Sequence, residues 1–253
     1  TNSSDNTYDG ITMTHGTHNI SITACTIAGN GQRGINLYRS TGGAGHVSIS
    51  DSQVMDNWLG VNIENTQANI IKNLTLSGHQ NVAIRLYKSD DTSIGNVTLY
   101  NNTGGLEIIS STATLHEVIA HHHDTAIMIT DGTAVMHAGT LHDNNVGIDA
   151  THTTITVTEA TLSTHMTGVL ADNATLSITA TTVENNERAL HAVLSTVTVD
   201  GCTVANNTYG IQLHQANGGR IVNCTDAASI ANNTYGIAVN DSTGVTVANS
   251  SFF

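Results

Sequence analysis

Apolar and polar positions alternate in short bursts along this chain. Ile155 and Val157 stand between Thr154, Thr156 and Thr158. The same arrangement returns 21 residues on, with Leu176 and Ile178 between Thr175, Ser177 and Thr179, and again with Val197 and Val199 between Thr196, Thr198 and Asp200. A period of two predicts strands with one face inward, and its return at a fixed step predicts that successive strands stack in parallel. No window of about 11 residues carries a 3.6-residue apolar stripe. The load of Thr, Val and Ile favours strands as well, so almost no helix is expected.

A second pattern frames the first. A small residue followed by an aliphatic one recurs at Gly10, Gly34, Gly60, Ala83, Gly105, Ala126, Gly147, Gly168, Ala189, Gly210 and Gly236, in steps of 21 to 26. Such a period marks a solenoid, whose turns bury their apolar side only by stacking on neighbours. Each turn offers three inward stretches: the aliphatics after the small residue (Ile211, Leu213), a Val/Ile alternation, and one aliphatic before a polar corner (Val54, Leu99, Leu162, Val183, Val204, Ile230). The turns are too long for a left-handed hexapeptide coil, which takes about 18 residues. The expected fold is therefore all-β: a right-handed single-stranded parallel β-helix of about 11 rungs, with three parallel sheets and uncapped ends. The repeat never breaks, so residues 1–253 read as a single domain.

Three places before the small residue stands a hydrogen-bonding side chain: Asn57, Gln80, Asn102, His123, Asn144, His165, Asn186, Asn207 and Asn233, with only the first two rungs departing. Amides stacked in register bond one another along the axis, so this column reads as a structural ladder in which His123 and His165 substitute. Cys202 and Cys224 hold matching places one rung apart, and Cys25 falls in the same column. Cysteine reads there as a small apolar filler, with a Cys202–Cys224 disulfide as the alternative that one-rung spacing leaves open.

Composition narrows the partners. Proline is absent, which suits uninterrupted pairing. A net charge of −13 with seven Lys plus Arg argues against a nucleic-acid or anionic-membrane partner. No apolar run approaches the roughly 18 residues of a membrane span. No secretion signal opens the chain, which reads as a mature secreted chain or an excised segment, extracellular or at the cell surface. Eleven Asn-x-Ser/Thr acceptors occur, at Asn2, Asn19, Asn73, Asn96, Asn101, Asn173, Asn206, Asn223, Asn232, Asn240 and Asn249. They read either as turn chemistry or as carriers of covalent glycans.

The phrases NNTYGIQL, NNTYGIAV and NISITACTIAGN resemble the right-handed parallel β-helix repeat of the pectate-lyase-like superfamily. That class includes polysaccharide lyases and epimerases, phage tailspikes and surface adhesins. The resemblance implies the fold and leaves function to whatever is grafted on the outer face. The Asp-Pro-His motif by which alginate epimerases resemble one another is missing, since the chain has no proline, and no clustered Asp of the inverting-hydrolase kind is found. A denser outward patch exists at Asn36, Tyr38, Arg39, Asn62, Glu64, Arg85, Tyr87, Lys88 and Glu107. Glu64, Arg85 and Lys88 would be the groups of a polysaccharide-cleaving site, with Tyr38, Arg39, Tyr87 and Glu107 holding sugar. The alternative is a solvated sheet face or a subunit contact.

Histidines 21 apart, His116 with His137 and His121 with His142, would sit on adjacent rungs, where paired imidazoles chelate a transition metal. The plainer reading is a polar edge without cofactor. The outward Thr columns resemble a flat ice-binding face but span only about three rungs, and Thr is in any case a favoured strand residue.

The chain opens in mid-repeat at NSSDNTYDGI and closes at GVTVANSSFF, so that one copy's end continues into the next copy's start. The leading expectation is a non-enzymatic extracellular fibre subunit that stacks on itself head to tail. Phe252 and Phe253 would meet Thr7 and Tyr8 at the junction. The alternative is a polysaccharide-binding or polysaccharide-cleaving β-helix.

Overall fold

The computed structural model describes residues 2–14, 19–38, 46–224 and 229–252. Among them every regular element is a strand, and every recorded ladder is parallel. This is the expected right-handed parallel β-helix. By compactness the chain divides into residues 1–128 and 129–253.

In the first unit a front ladder is formed by strands Ile11–Thr14, Arg33–Tyr38, Leu59–Glu64, Val82–Tyr87 and Gly104–Ile109. Each begins at or next to the small residue of the repeat. The reason for small size is steric. A Cβ added at Gly60 would lie 2.3 Å from the Ala83 carbonyl and 2.6 Å from the ring of His79. The place is kept small by the side chain stacked over it from the next turn. The second and third inward stretches are fused here into long strands, Val47–Met55, Ile70–Ser77, Thr92–Tyr100 and Thr112–His121. Each crosses the former corner at one left-handed residue, Asp51, Asn73, Asn96 or Glu117. That residue acts as a bulge: it re-aims the side chains so that Leu74, Val97 and Val118 still face inward.

In the second unit the three stretches remain apart. The front ladder runs through Val146–Thr151, Thr167–Asp172, Arg188–Val193, Tyr209–His214 and Tyr235–Asn240. The Thr columns stand on a second ladder, Thr133–His137, Thr154–Thr158, Thr175–Thr179 and Thr196–Asp200. Short strands such as Thr161–Ser163 and Thr182–Glu184 make the third.

The corners follow one rule. A residue in the left-handed region turns the chain, and the next side chain points inward. Asp56 precedes buried Asn57, Asn101 precedes Asn102, and Asn206 precedes Asn207. Asn and Asp adopt this backbone more readily than other side-chain-bearing residues, which is why corners are rich in them. The inward residues build the expected ladder, with one correction: His79, not Gln80, holds the fourth turn's place. In the first unit the Asn6 amide donates to Asn30 Oδ1 (2.7 Å), Asn30 to Asn57 Oδ1 (2.8 Å), and the Asn57 backbone N–H to His79 Nδ1 (3.2 Å). So the first two rungs join the ladder too, at a spacing of four from the small residue instead of three.

The ladder continues from the His79 N–H to Asn102 Oδ1 (2.9 Å). In the second unit it passes from Asn144 through His165, Asn186 and Asn207 to Asn233. Histidine can stand in for asparagine because its Nδ1 accepts the N–H of the ladder residue one turn earlier, at His79, His123 and His165 alike, and in His123 the ring makes both of the bonds an asparagine makes. In His123, Nδ1 accepts from the Asn102 N–H (3.3 Å) and Nε2 donates to the Leu99 carbonyl (3.1 Å). The Asn102 amide likewise reaches Leu76 O (3.3 Å) one turn earlier. Burial holds all three ladder histidines neutral, with His79 lowered to about 4.

Candidate functional site

The outward positions of the first unit's front ladder form two columns. One runs Thr12, Asn36, Asn62, Arg85, Glu107, and the other Thr14, Tyr38, Glu64, Tyr87, Ile109. Seven of the nine residues that the sequence grouped here thus stand in register on one face. Lys88 sits at the following corner in a left-handed conformation, its Nζ 5.1 Å from the centre of the Tyr87 ring. Arg39 lies outside the described residues.

Polar bonds tie the first column together. Asp9 accepts from the Arg33 backbone N–H (3.0 Å), the Asn36 amide (2.9 Å) and the Thr12 hydroxyl (2.8 Å), with the Arg33 guanidinium 3.7 Å away. The Asn62 amide donates to Asn36 Oδ1 (3.0 Å). Arg85 Nε donates to Glu107. Although they point outward, Asn36, Asn62 and Glu107 are buried by their neighbours. The pairing uses one of the five N–H donors of Arg85 and leaves its half-exposed guanidinium oriented by a fixed carboxylate. Beside Glu107 opens a cleft of about 220 Å3, lined also by Asn81, Val82, Gly104, Asp124 and Met128. The face therefore offers an oriented cation, a second cation beside an aromatic ring, a carboxylate between two tyrosines, and a recess.

The other candidates stand apart from this face. The expected histidine pairs are divided between the two units. In the first, His116 Nδ1 lies 3.7 Å from Glu117, and His121 stacks on Tyr100 with its Nδ1 2.7 Å from His122 Nδ1. In the second, His137 lies 3.6 Å from Glu159 and His142 2.8 Å from Asp143. Among the described residues no group of three or more His, Cys, Asp or Glu converges on one point. Cys202 and Cys224 are free, buried thiols, as is Cys25. Cys202 Sγ donates to the Ile178 carbonyl (3.3 Å) and Cys224 Sγ to that of Val222 (3.4 Å), so both act as core fillers and no disulfide joins them. Burial pushes the Cys202 thiol up to about 11 and raises that of Cys224.

All eleven glycan acceptors are exposed, and nine of them, all but Asn2 and Asn240, occupy left-handed corners. Corner geometry accounts for their number, since a left-handed Asn, an inward residue and an outward Thr reproduce the acceptor motif by themselves. The amides of Asn73, Asn96 and Asn223 are engaged with Asp51, Asn73 and Asp200. Thr7 and exposed Tyr8 lie in the corner between Asn2–Ser4 and Ile11–Thr14. Phe252 bridges to Ile230 and is half-exposed, while Phe253 falls outside the described residues.

Sequence reasoning missed Asp9, which organises one end of the face. The clue was available, because Asp9 precedes Gly10 as Arg33 precedes Gly34, which places both in one column. It also missed the contact between His121 and His122, because consecutive strand residues are expected to point apart.

Comparison with known proteins agrees with the coil. The family model "Right handed beta helix region" matches residues 1–140 and 134–253. Among solved structures, the A-module of Azotobacter vinelandii mannuronan C-5 epimerase AlgE6 is similar in fold. It has a TM-score of 0.62 at 13% identity, over 96% of this chain and 84% of that one. An alginate lyase from Paenibacillus sp. str. FPU-7 aligns with a TM-score of 0.46 at 11% identity, over 99% of this chain and 88% of that one. No curated protein matches the chain. The sequence match spans both units and the internal repeat of each, and on that basis the chain belongs to the right-handed β-helix family.

Proposed function

We propose that this chain binds an acidic polysaccharide along the outer face of the first unit's front ladder, outside the cell or at its surface. The observation that carries the reading is the registered pair of columns, in which Arg85, fixed by Glu107, lies beside Tyr38, Glu64 and Tyr87. Stacked strands repeat about every 4.8 Å, so a linear polymer meets equivalent contacts turn after turn. Arg85 and Lys88 offset uronate carboxylates, the tyrosine rings meet the apolar faces of sugars, and Glu64 and the cleft beside Glu107 take hydroxyls. The fold is one that also carries an epimerase module named for mannuronan, which is consistent with a polysaccharide ligand.

Affinity electrophoresis through gels containing alginate, pectate or neutral dextran tests this. The unmodified chain should be retarded by an acidic polymer and not by dextran. An Arg85→Ala/Lys88→Ala variant should bind about tenfold more weakly, since each exposed ion pair contributes up to about 1 kcal/mol. Ultraviolet absorbance of unsaturated uronides during incubation would extend the reading from binding to cleavage by elimination. No retardation by any polymer would end it.

A second reading, self-association head to tail with glycans on the corners, rests on the apolar residues exposed by the second unit's last turn. The intact mass of native material tests the glycans: a mass of 26.4 kDa means a bare chain.

A further inference from the structure

We propose that His121 and His122 form a surface site for a divalent transition metal that prefers tetragonal geometry, Cu2+ above all. The two Nδ1 atoms approach to 2.7 Å, with the rings 77° apart and their centres 5.0 Å apart. The two nitrogens thus stand as close as neighbouring ligands of one metal ion, on rings set nearly at right angles. In the metal-free protein one Nδ1 donates a hydrogen to the other; on metal binding that proton passes through solvent to Nε2 of the same ring, so both imidazoles stay neutral and each Nδ1 lone pair is given to the ion.

The backbone produces this convergence. His121 ends the strand Thr112–His121, and His122 is the corner residue, with φ of +59°. Two consecutive strand residues would send their rings to opposite faces. A left-handed residue breaks the alternation and swings the second ring onto the side of the first. His121 is steadied from beneath by Tyr100, whose ring stacks at 5.6 Å with an interplanar angle of 11°. One partner is therefore held in place before any ion arrives.

The separation selects among metals. With metal–nitrogen bonds of about 2.0–2.1 Å, a tetrahedral ion needs its nitrogens about 3.3 Å apart, whereas cis positions of a square-planar or tetragonal ion need about 2.9 Å. The observed 2.7 Å is close to the second and well short of the first. Among divalent first-row ions Cu2+ also binds imidazole most tightly. Since no third His, Cys, Asp or Glu converges among the described residues, water completes the coordination.

The test is titration of the full chain with Cu2+ and, separately, with Zn2+. It is followed by calorimetry and by electron paramagnetic resonance at about pH 7.5, where imidazole is neutral. One tight Cu2+ equivalent with two nitrogen couplings is expected, bound at least tenfold more tightly than Zn2+. His121→Ala should weaken it at least tenfold. His122→Asn should do the same while keeping the left-handed corner, since Asn occupies the equivalent corner at Asn101. His152→Ala and His214→Ala, away from the site, should leave it unchanged. Tight Cu2+ binding that survives in a His121→Ala/His122→Asn protein, the absence of a two-nitrogen signal, or equal affinity for Zn2+ would overturn the assignment.

Discussion

A single residue in the left-handed region makes each corner, and the residue after it decides what stacks inside. Where that inward residue is histidine, stability becomes dependent on pH. Protonated His79 would present an N–H at Nδ1 to the Asn57 N–H that this atom now accepts, so donor would face donor inside the core. Its folded pKa is lowered to about 4 from 6.5, with desolvation as the largest cause. A lowered base favours folding above the unfolded pKa. The stabilisation is therefore complete above about pH 6.5, is lost as pH falls, and is gone below about pH 4. The difference amounts to about 3 kcal/mol for His79, and His123 and His165 act in the same direction. A His79→Asn protein should match the parent in urea at neutral pH and lose distinctly less stability on acidification through that window. Parallel curves for the two proteins would show that the ring does not titrate on unfolding.

Between elements, packing depends on how closely successive turns approach. A Cβ at Gly147 would lie 2.5 Å from the Gly168 carbonyl and 2.9 Å from the His165 ring, whereas one at Gly95 would meet nothing nearer than 3.9 Å. Gly147→Ala should thus cost about 1–3 kcal/mol through overpacking. Gly95→Ala should be neutral or stabilise by up to about 1 kcal/mol through the unfolded chain. Denaturation midpoints decide, and equal effects at the two sites would refute the steric account of the small column. That column was legible in the sequence, as were the strands and their parallel order, because each is set by residue type at a fixed step. The ladder was read one residue out at Gln80 because the corner after His79 holds one residue more, and no period reveals a local insertion. Fusion of two stretches in the first unit was equally hidden. The residue after the bulge faces inward whether it is Ser52 or Leu74, Val97 and Val118, so its size gives no signal and no alternation is altered.

At the scale of the whole molecule, the front face was legible as a group of residues, because Arg85 and Glu107 follow their small residues by two places and Tyr38 and Glu64 follow theirs by four, all at outward positions. Its bonding was not, since the Arg85–Glu107 pair and the Asp9 network need the side-chain directions. The proposed association between copies belongs to this scale. In the second unit's last turn Val239 is 46% exposed and Val247 44%, while the residues stacked beneath them, Leu213 and Ile221, are 1% and 0% exposed. Phe252, at 49%, adds an aromatic ring to the same surface. Full burial of such side chains is worth roughly 1.5–3 kcal/mol each, enough for self-association if a first turn from another copy continues the ladders. A Val239→Lys/Val247→Lys protein keeps every lower turn and places two charges on that surface. Under the stacking reading the parent should grow in mass with concentration by light scattering, and this variant should stay monomeric with unchanged circular dichroism. A parent that remains monomeric at high concentration would dispose of head-to-tail stacking and leave the front face as the molecule's only proposed contact.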